Sequence, residues 1–349
     1  MPKEKWLIDP SELDEFQKVI YDIGLDESFI IKGCAGSGKT ILALFRAQEI
    51  LIRSEIDDVP PSFTVVVFTK ALSSFIRASI ISLGIDIHQV VHYDKWLGDE
   101  VDHLIVDECQ DFKSEEIDTL MSAKTESIMF YGDTQQQLYH DRLNLEELSR
   151  KTGLKLRELE KNYRLPKSIA EFVWHLGTDD KLRDKCMRPG FDKPRVLKRD
   201  NWQKEIDFIV AEIRARNYTD VAILLPFNNK IVAPTTNAGI RNVESVIEYL
   251  DNNSFSYEAK FYDSSNYEHD DLDFDSELPK LMTFHSSKGL QFETVFVPFC
   301  DYPVHDDWVV EHIKNPLFVA LTRTYKNLYI THSGKLTQFF KKIPPHKYD

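Results

Sequence analysis

The chain has 349 residues, 42% of them hydrophobic and 29% charged, the makeup of a globular protein long enough for two hydrophobic cores. No run of residues is long and apolar enough to cross a membrane, and the opening MPKEKWLIDP lacks the apolar core of a secretory signal. A net charge of -14 excludes a broad basic surface for duplex nucleic acid but leaves room for a local basic groove around a single strand.

In chain order, the apolar run Phe29–Ile31 reads as a strand that delivers the chain into GCAGSGKT at Gly33 to Thr40. A helical pattern, Ile41 through Leu51, follows at once. A glycine-rich loop between strand and helix suits a phosphate group. The backbone N–H groups of Gly33, Ala35, Gly36, Ser37 and Gly38 turn toward it, and the helix N-terminus adds positive partial charge. Lys39 would neutralise the terminal phosphates of ATP and Thr40 would offer its hydroxyl to Mg²⁺. Further strands are expected at Thr64–Phe68, Leu104–Val106 and Ile128–Tyr131. A second series follows at Val221–Leu225, Leu281–Thr283, Thr294–Phe299 and Leu328–Thr331, with helical patterns such as Ile206–Arg214 and Val243–Leu250 between them. Strands alternating with helices predict an α/β protein with parallel sheets, divided near the polar stretch Arg150–Gly153 into domains 1–150 and 151–349.

DECQD at Asp107–Asp111 follows the strand Leu104–Val106 and so falls where ligands gather, beyond the carboxyl ends of parallel strands. Asp107 is suited to hold Mg²⁺ and Glu108 to orient and deprotonate a water. Cys34, Cys109, Cys186 and Cys300 are scattered without paired metal-ligand spacing, and a reduced, cytoplasmic setting is the simplest account of them. The acidic stretch Asp263–Glu277 reads as a solvated loop, or as a docking surface for a basic partner.

The order of motifs resembles the UvrD/Rep-type superfamily 1 DNA helicases over nearly the whole chain. Gln17 in LDEFQKVI is similar to the adenine-recognising glutamine, and YGDTQQQLY places Gln136 at the γ-phosphate sensor. LEKNYRLP resembles the segment in which Tyr163 stacks on adenine and Arg164 reaches the γ-phosphate. TFHSSKGLQFETVFVP puts Gln291 at the ribose position, and VALTRT supplies Arg323 as the second γ-phosphate arginine. FTKAL contributes Phe68, Thr69 and Lys70 to a strand groove, VHYDKWL contributes His92 and Trp96, and His285 joins them, with Arg77 on the adjoining helix. The resemblance implies two tandem RecA-like P-loop domains, with ATP in the interdomain cleft and single-stranded DNA or RNA as partner.

The sequence also departs from this family. Only about 33 residues separate FTKAL from DECQD, and about 115 separate Arg164 from the TFHSSK segment, which leaves no room for the usual accessory insertions. His140-Asp141-Arg142-Leu143 replaces the aromatic continuation after the QQQLY segment, and Gln291 replaces a glutamate. The expected activity is ATP hydrolysis by a motor on single-stranded nucleic acid, with DNA and 3′-to-5′ movement implied by the resemblance. The alternative is an ATP-gated regulatory subunit that controls a partner such as a nuclease.

Overall fold

A computed structural model of the chain describes residues 7–68, 72, 75–76, 80–137, 141–177, 181–190, 192–226, 243–260, 272–301 and 307–349. The backbone divides into two compact units, one ending at Tyr163 and the other beginning at Arg164.

The first unit is a six-stranded sheet in the order β3-β2-β4-β5-β1-β6. Its strands are β1 (Phe29–Gly33), β2 (Phe63–Val67), β3 (Val90–His92), β4 (Val101–Val106), β5 (Lys124–Gly132) and β6 (Lys155–Leu159). Every pairing is parallel. Because side chains alternate across a strand, a sheet covered on both faces needs apolar residues at every position. Phe29 and Ile31 pack with Val65, Val67, Ile105 and Met129 on the face covered by α2 (Lys39–Asp57), through Leu42, Phe45 and Ile50. Ile30, Val66, Leu104, Val106, Ile128 and Phe130 face the other way. There they meet Ile117 and Leu120 of α3 (Ser114–Ser122) and Leu145 and Leu148 of α4 (Leu145–Thr152). A short helix, α1 (Glu15–Tyr21), precedes β1.

The second unit holds another six-stranded sheet, ordered β7-β12-β11-β8-β10-β9. Its strands are β7 (Arg195–Lys198), β8 (Val221–Leu225), β9 (Glu258–Lys260), β10 (Lys280–Thr283), β11 (Phe292–Val297) and β12 (Thr324–His332). These pairings are parallel too. Ile206, Ile209 and Ile213 of α5 (Trp202–Arg216) and Val243, Val246 and Leu250 of α6 (Val243–Asn252) cover one face, over Ile223, Leu281, Phe296 and Tyr329. A further helix, α7 (Asp307–Leu321), leads into β12. The connection from β10 to β11 is Phe284 to Gln291, and it passes from the carboxyl end of one strand to the amino end of another with β8 between them.

Two mainly parallel sheets flanked by helices are the α/β architecture expected for tandem RecA-like units. The expected boundary near residue 150 is displaced, because β6 pairs with β1 and carries the first sheet beyond it. Of the acidic stretch, residues 263–271 lie outside the described residues. In the remainder the Asp273 side chain accepts hydrogen bonds from the backbone N–H groups of Asp275 and Ser276.

One buried carboxyl in the second unit carries a stability prediction. Glu205 on α5 is fully buried and accepts hydrogen bonds from Phe299 N and Thr331 Oγ1. Burial pushes it above its ordinary value of 4.5, and those bonds offset only part of the shift. The native state then holds the proton more tightly than the unfolded chain. The contribution to stability is therefore full below the unfolded pKa and is lost as pH rises through the folded one. Glu205→Gln should abolish this decline, measured as urea midpoints at about pH 5 and about pH 8. An unchanged pH dependence in the variant would overturn the assignment.

Candidate nucleotide and nucleic-acid sites

The phosphate loop leaves β1 at Gly33 and enters α2 at Lys39. Gly38 has φ +92°, and a Cβ there would stand 2.5 Å from the Gln17 Nε2, so only glycine allows both the turn and the approach of Gln17. The Lys39 ammonium donates to the carbonyls of Gly33 (2.7 Å) and Cys34 (3.1 Å), inside the loop that would receive phosphate. The Ser37 hydroxyl is buried there with no partner among the described residues.

Gln17 clamps this loop to α1. Its Nε2 donates to Ser37 O (3.1 Å), and its Oε1 accepts from the backbone of Asp14 in a capping box. The Tyr163 backbone N–H donates to Gly36 O at 2.9 Å, and its hydroxyl bonds the Asp14 carboxylate. Burial and that carboxylate raise the Tyr163 phenol above its ordinary range. Burial works to raise the Asp14 carboxyl, but hydrogen bonds from Tyr163 and Gln17 and the Lys161 ammonium bring it below its usual value.

Beside the loop, β4 ends and releases Asp107 and Glu108. Thr40 Oγ1 donates to Asp107 Oδ2 at 2.6 Å. Burial, then the neighbouring charge of Glu108, pushes the Asp107 carboxyl up to about 6. Glu108 takes a left-handed backbone conformation (φ 56°), which costs a non-glycine residue about 1–3 kcal/mol and is concentrated at functional sites. Glu108 Oε2 accepts from the Gln110 Nε2 (2.6 Å), Gln110 Oε1 accepts from Asp133 N (2.9 Å), and Asp133 Oδ2 accepts from Gln136 Nε2 (2.7 Å). The first unit thus brings together Gln17, the loop Gly33–Thr40, Asp107, Glu108, Gln136 and Tyr163. Gln110 and Asp133 complete the network, and sequence reasoning missed them.

These residues fit a divalent cation held with a nucleotide. No cluster of three or more His, Cys, Asp or Glu capable of holding a metal stands among the described residues. A hydroxyl and a carboxylate oxygen side by side are what Mg²⁺ uses when phosphate oxygens and water supply its other ligands. Thr40 and Asp107 would hold it. A buried carboxyl whose charged form is disfavoured gains from a cation brought against it.

The second unit assembles the remaining nucleotide candidates. Arg164 Nε donates to Gln291 Oε1 (2.9 Å) and its Nη1 to Leu290 O (3.4 Å). Arg323 is buried, with Nε donating to Val319 O (2.8 Å), Nη2 to Thr322 Oγ1 (3.1 Å) and Nη1 to Leu290 O (3.5 Å). Both guanidinium groups therefore converge on one carbonyl at the amino ends of β11 and β12. His285 is exposed beyond the carboxyl end of β10, at the opposite edge of that sheet.

Three of the nucleic-acid candidates lie at the carboxyl ends of β2 and β3. Phe68 meets Phe112 edge-on (5.3 Å between centroids), Phe112 meets Tyr93 (5.0 Å), and Tyr93 leans on Trp96 (6.0 Å). Tyr93 and Phe112 were not foreseen. His92 Nδ1 accepts from Asp94 N at 3.1 Å and caps the short turn that carries Tyr93. The Trp96 indole N–H has no hydrogen-bond partner among the described residues. Thr69, Lys70 and Arg77 lie outside the described residues.

Comparisons with known proteins find similarity to helicases. Residues 29–198 match the model of the viral superfamily 1 RNA helicase core domain, a span that contains both the phosphate loop and Arg164. Over 277 residues, 71% of this chain, it is 22% identical to the "Putative ATP-dependent DNA helicase" of Acanthamoeba polyphaga mimivirus. The matched region spans only 37% of that relative. Among solved structures, the arterivirus nonstructural protein 10 helicase shares 14% identity, with a TM-score of 0.44 over 91% of this chain and 61% of its own. The C-terminal domain of a possible DNA helicase from Lactobacillus plantarum shares 16%, with a TM-score of 0.38 over 53% of this chain and 96% of its own.

Proposed function

We propose that the chain is an ATP-driven motor that moves along single-stranded nucleic acid. The observation that carries this reading is the carboxyl edge of the first sheet. There the buried Lys39, Asp107, Glu108 and Gln136, with the half-buried Thr40, stand on the same rim as Phe68, His92 and Trp96. One sheet edge serves both phosphate chemistry and base stacking in this reading.

In this reading Lys39 and the loop amides hold the phosphates, Thr40 and Asp107 hold Mg²⁺, and Glu108 orients and deprotonates the attacking water. Gln136 senses the γ-phosphate. Arg164 and Arg323 stabilise the charge that develops on the transferred phosphoryl group. Gln17 and Tyr163 border the base, and Gln291 the sugar. His285 adds a strand contact from the second unit. The motif order from Gln17 to Arg323 supports a UvrD/Rep-type assignment, with DNA as the strand and 3′-to-5′ movement. The mimivirus relative is named as a DNA helicase and the matched family model as an RNA helicase, so both strands belong in the test.

That test is steady-state ATP hydrolysis with and without single-stranded DNA or RNA, with stimulation of about tenfold or more expected from one of them. Turnover indifferent to every strand would sink the motor reading and leave the ATP-gated subunit of a nuclease or similar partner. Aromatic–base stacking is worth about 1–3 kcal/mol per base. Trp96→Ala is therefore expected to raise the strand concentration for half-maximal stimulation about tenfold or more, and an unchanged value would remove Trp96 from the strand site.

A further inference from the structure

The Gln110 side chain is fully buried between Glu108 and the loop that carries Gln136, and none of the roles above uses it. We infer that Gln110 is a positioning residue that ties the water-activating Glu108 to the Asp133–Gln136 loop. This deepens the proposed ATPase reading of the same site and rests on it.

The bonding pattern fixes both the identity and the orientation of this carboxamide. On one side stands the Glu108 carboxylate, which when ionised can only accept; on the other stands the Asp133 backbone N–H, which can only donate. A bridge between them needs one donor and one acceptor at the end of a side chain of this reach. Glutamine supplies both. Glutamate lacks the donor, asparagine is a methylene shorter, and leucine has neither group. The approach is close: a Cβ on Gly132 would stand 2.7 Å from Gln110 Oε1, so a glycine ends β5 where the amide must pass. Beyond the bridge, Asp133 receives Gln136 through one carboxylate oxygen and Gln135 N through the other. Gln136 and Glu108 are thus joined through two buried residues, Asp133 by its carboxylate and its backbone N–H, and Gln110 by its side chain. The bridge also holds Glu108 where its backbone is left-handed, a conformation its surroundings must maintain.

A role through Glu108 predicts a particular kinetic pattern. ATP hydrolysis is measured for the wild type, Gln110→Leu, Gln110→Glu, Glu108→Ala and the double variant Glu108→Ala/Gln110→Leu. Thermal midpoints and binding of a fluorescent ATP analogue establish that each is folded. Both Gln110 variants should lose about 10- to 100-fold in kcat with KM within about threefold, the scale of losing a residue that orients a reactive group. In the Glu108→Ala background, removing Gln110 should cost less than about twofold, because the group it orients is already gone. Gln110→Glu separates positioning from mere packing. It keeps the acceptor for Asp133 N but loses the donor to Glu108, so wild-type kcat in this variant overturns the inference. Losses that multiply in the double variant also overturn it. A wild type that hydrolyses no ATP refutes the proposed function and this role with it. An active wild type that Lys39→Ala silences, beside fully active Gln110 variants, refutes the role of Gln110 alone.

Discussion

Lys39→Ala is expected to lower ATP turnover at saturating Mg²⁺ and ATP by at least about 10³-fold. Its ammonium lies inside the loop, on the carbonyls of Gly33 and Cys34, where an arriving phosphate would exchange one set of oxygens for another. It also lowers the pKa of the buried Asp107 against the repulsion of Glu108. Without it, two adjacent carboxylates face the phosphates with less cationic compensation. Phosphate release by the folded variant measures the effect, and a loss smaller than about tenfold would remove Lys39 from the transition state.

Arg323→Ala should cost about 10³- to 10⁵-fold in kcat, the scale of an arginine that meets developing phosphoryl charge. Arg323 is only 1% exposed, and its guanidinium is held by Val319, Leu290 and Thr322. Arg323→Lys is expected to rescue little, since an ammonium keeps the charge but cannot reproduce a planar fork on three oxygens. Turnover within about tenfold of wild type in a folded Arg323→Ala protein would reduce the residue to a cap on α7.

What the sequence disclosed follows burial. All eight expected strands are interior to their sheets, whereas the four unforeseen ones, β3, β6, β7 and β9, are the edges. An interior parallel strand has both faces covered and becomes a run such as Val221–Leu225, buried at every position. An edge strand such as Lys155–Leu159 mixes exposed and buried positions and carries no such run. Missing β6 also misplaced the boundary. The phosphate loop and the acidic pair were legible because their chemistry demands contiguous residues. Gln110 and Asp133 were not, because their bond joins two loops that are distant in sequence. Tyr93 and Phe112 were hidden likewise, as ring contacts made across strand ends.

The crossover from Phe284 to Gln291 has a mechanical consequence. Connections between parallel strands usually take a dozen or more residues and a helix. Here eight suffice, with tight turns from Phe284 to Gly289 and with Ser287, Lys288 and Leu290 buried. Such a strap has little slack. In the proposed motor, a pull on the exposed His285 would have only a few bonds over which to dissipate before it reached Leu290, whose carbonyl accepts from both arginines. Tension on a strand at one edge of the second sheet would therefore arrive at its other edge as a shift of guanidinium groups.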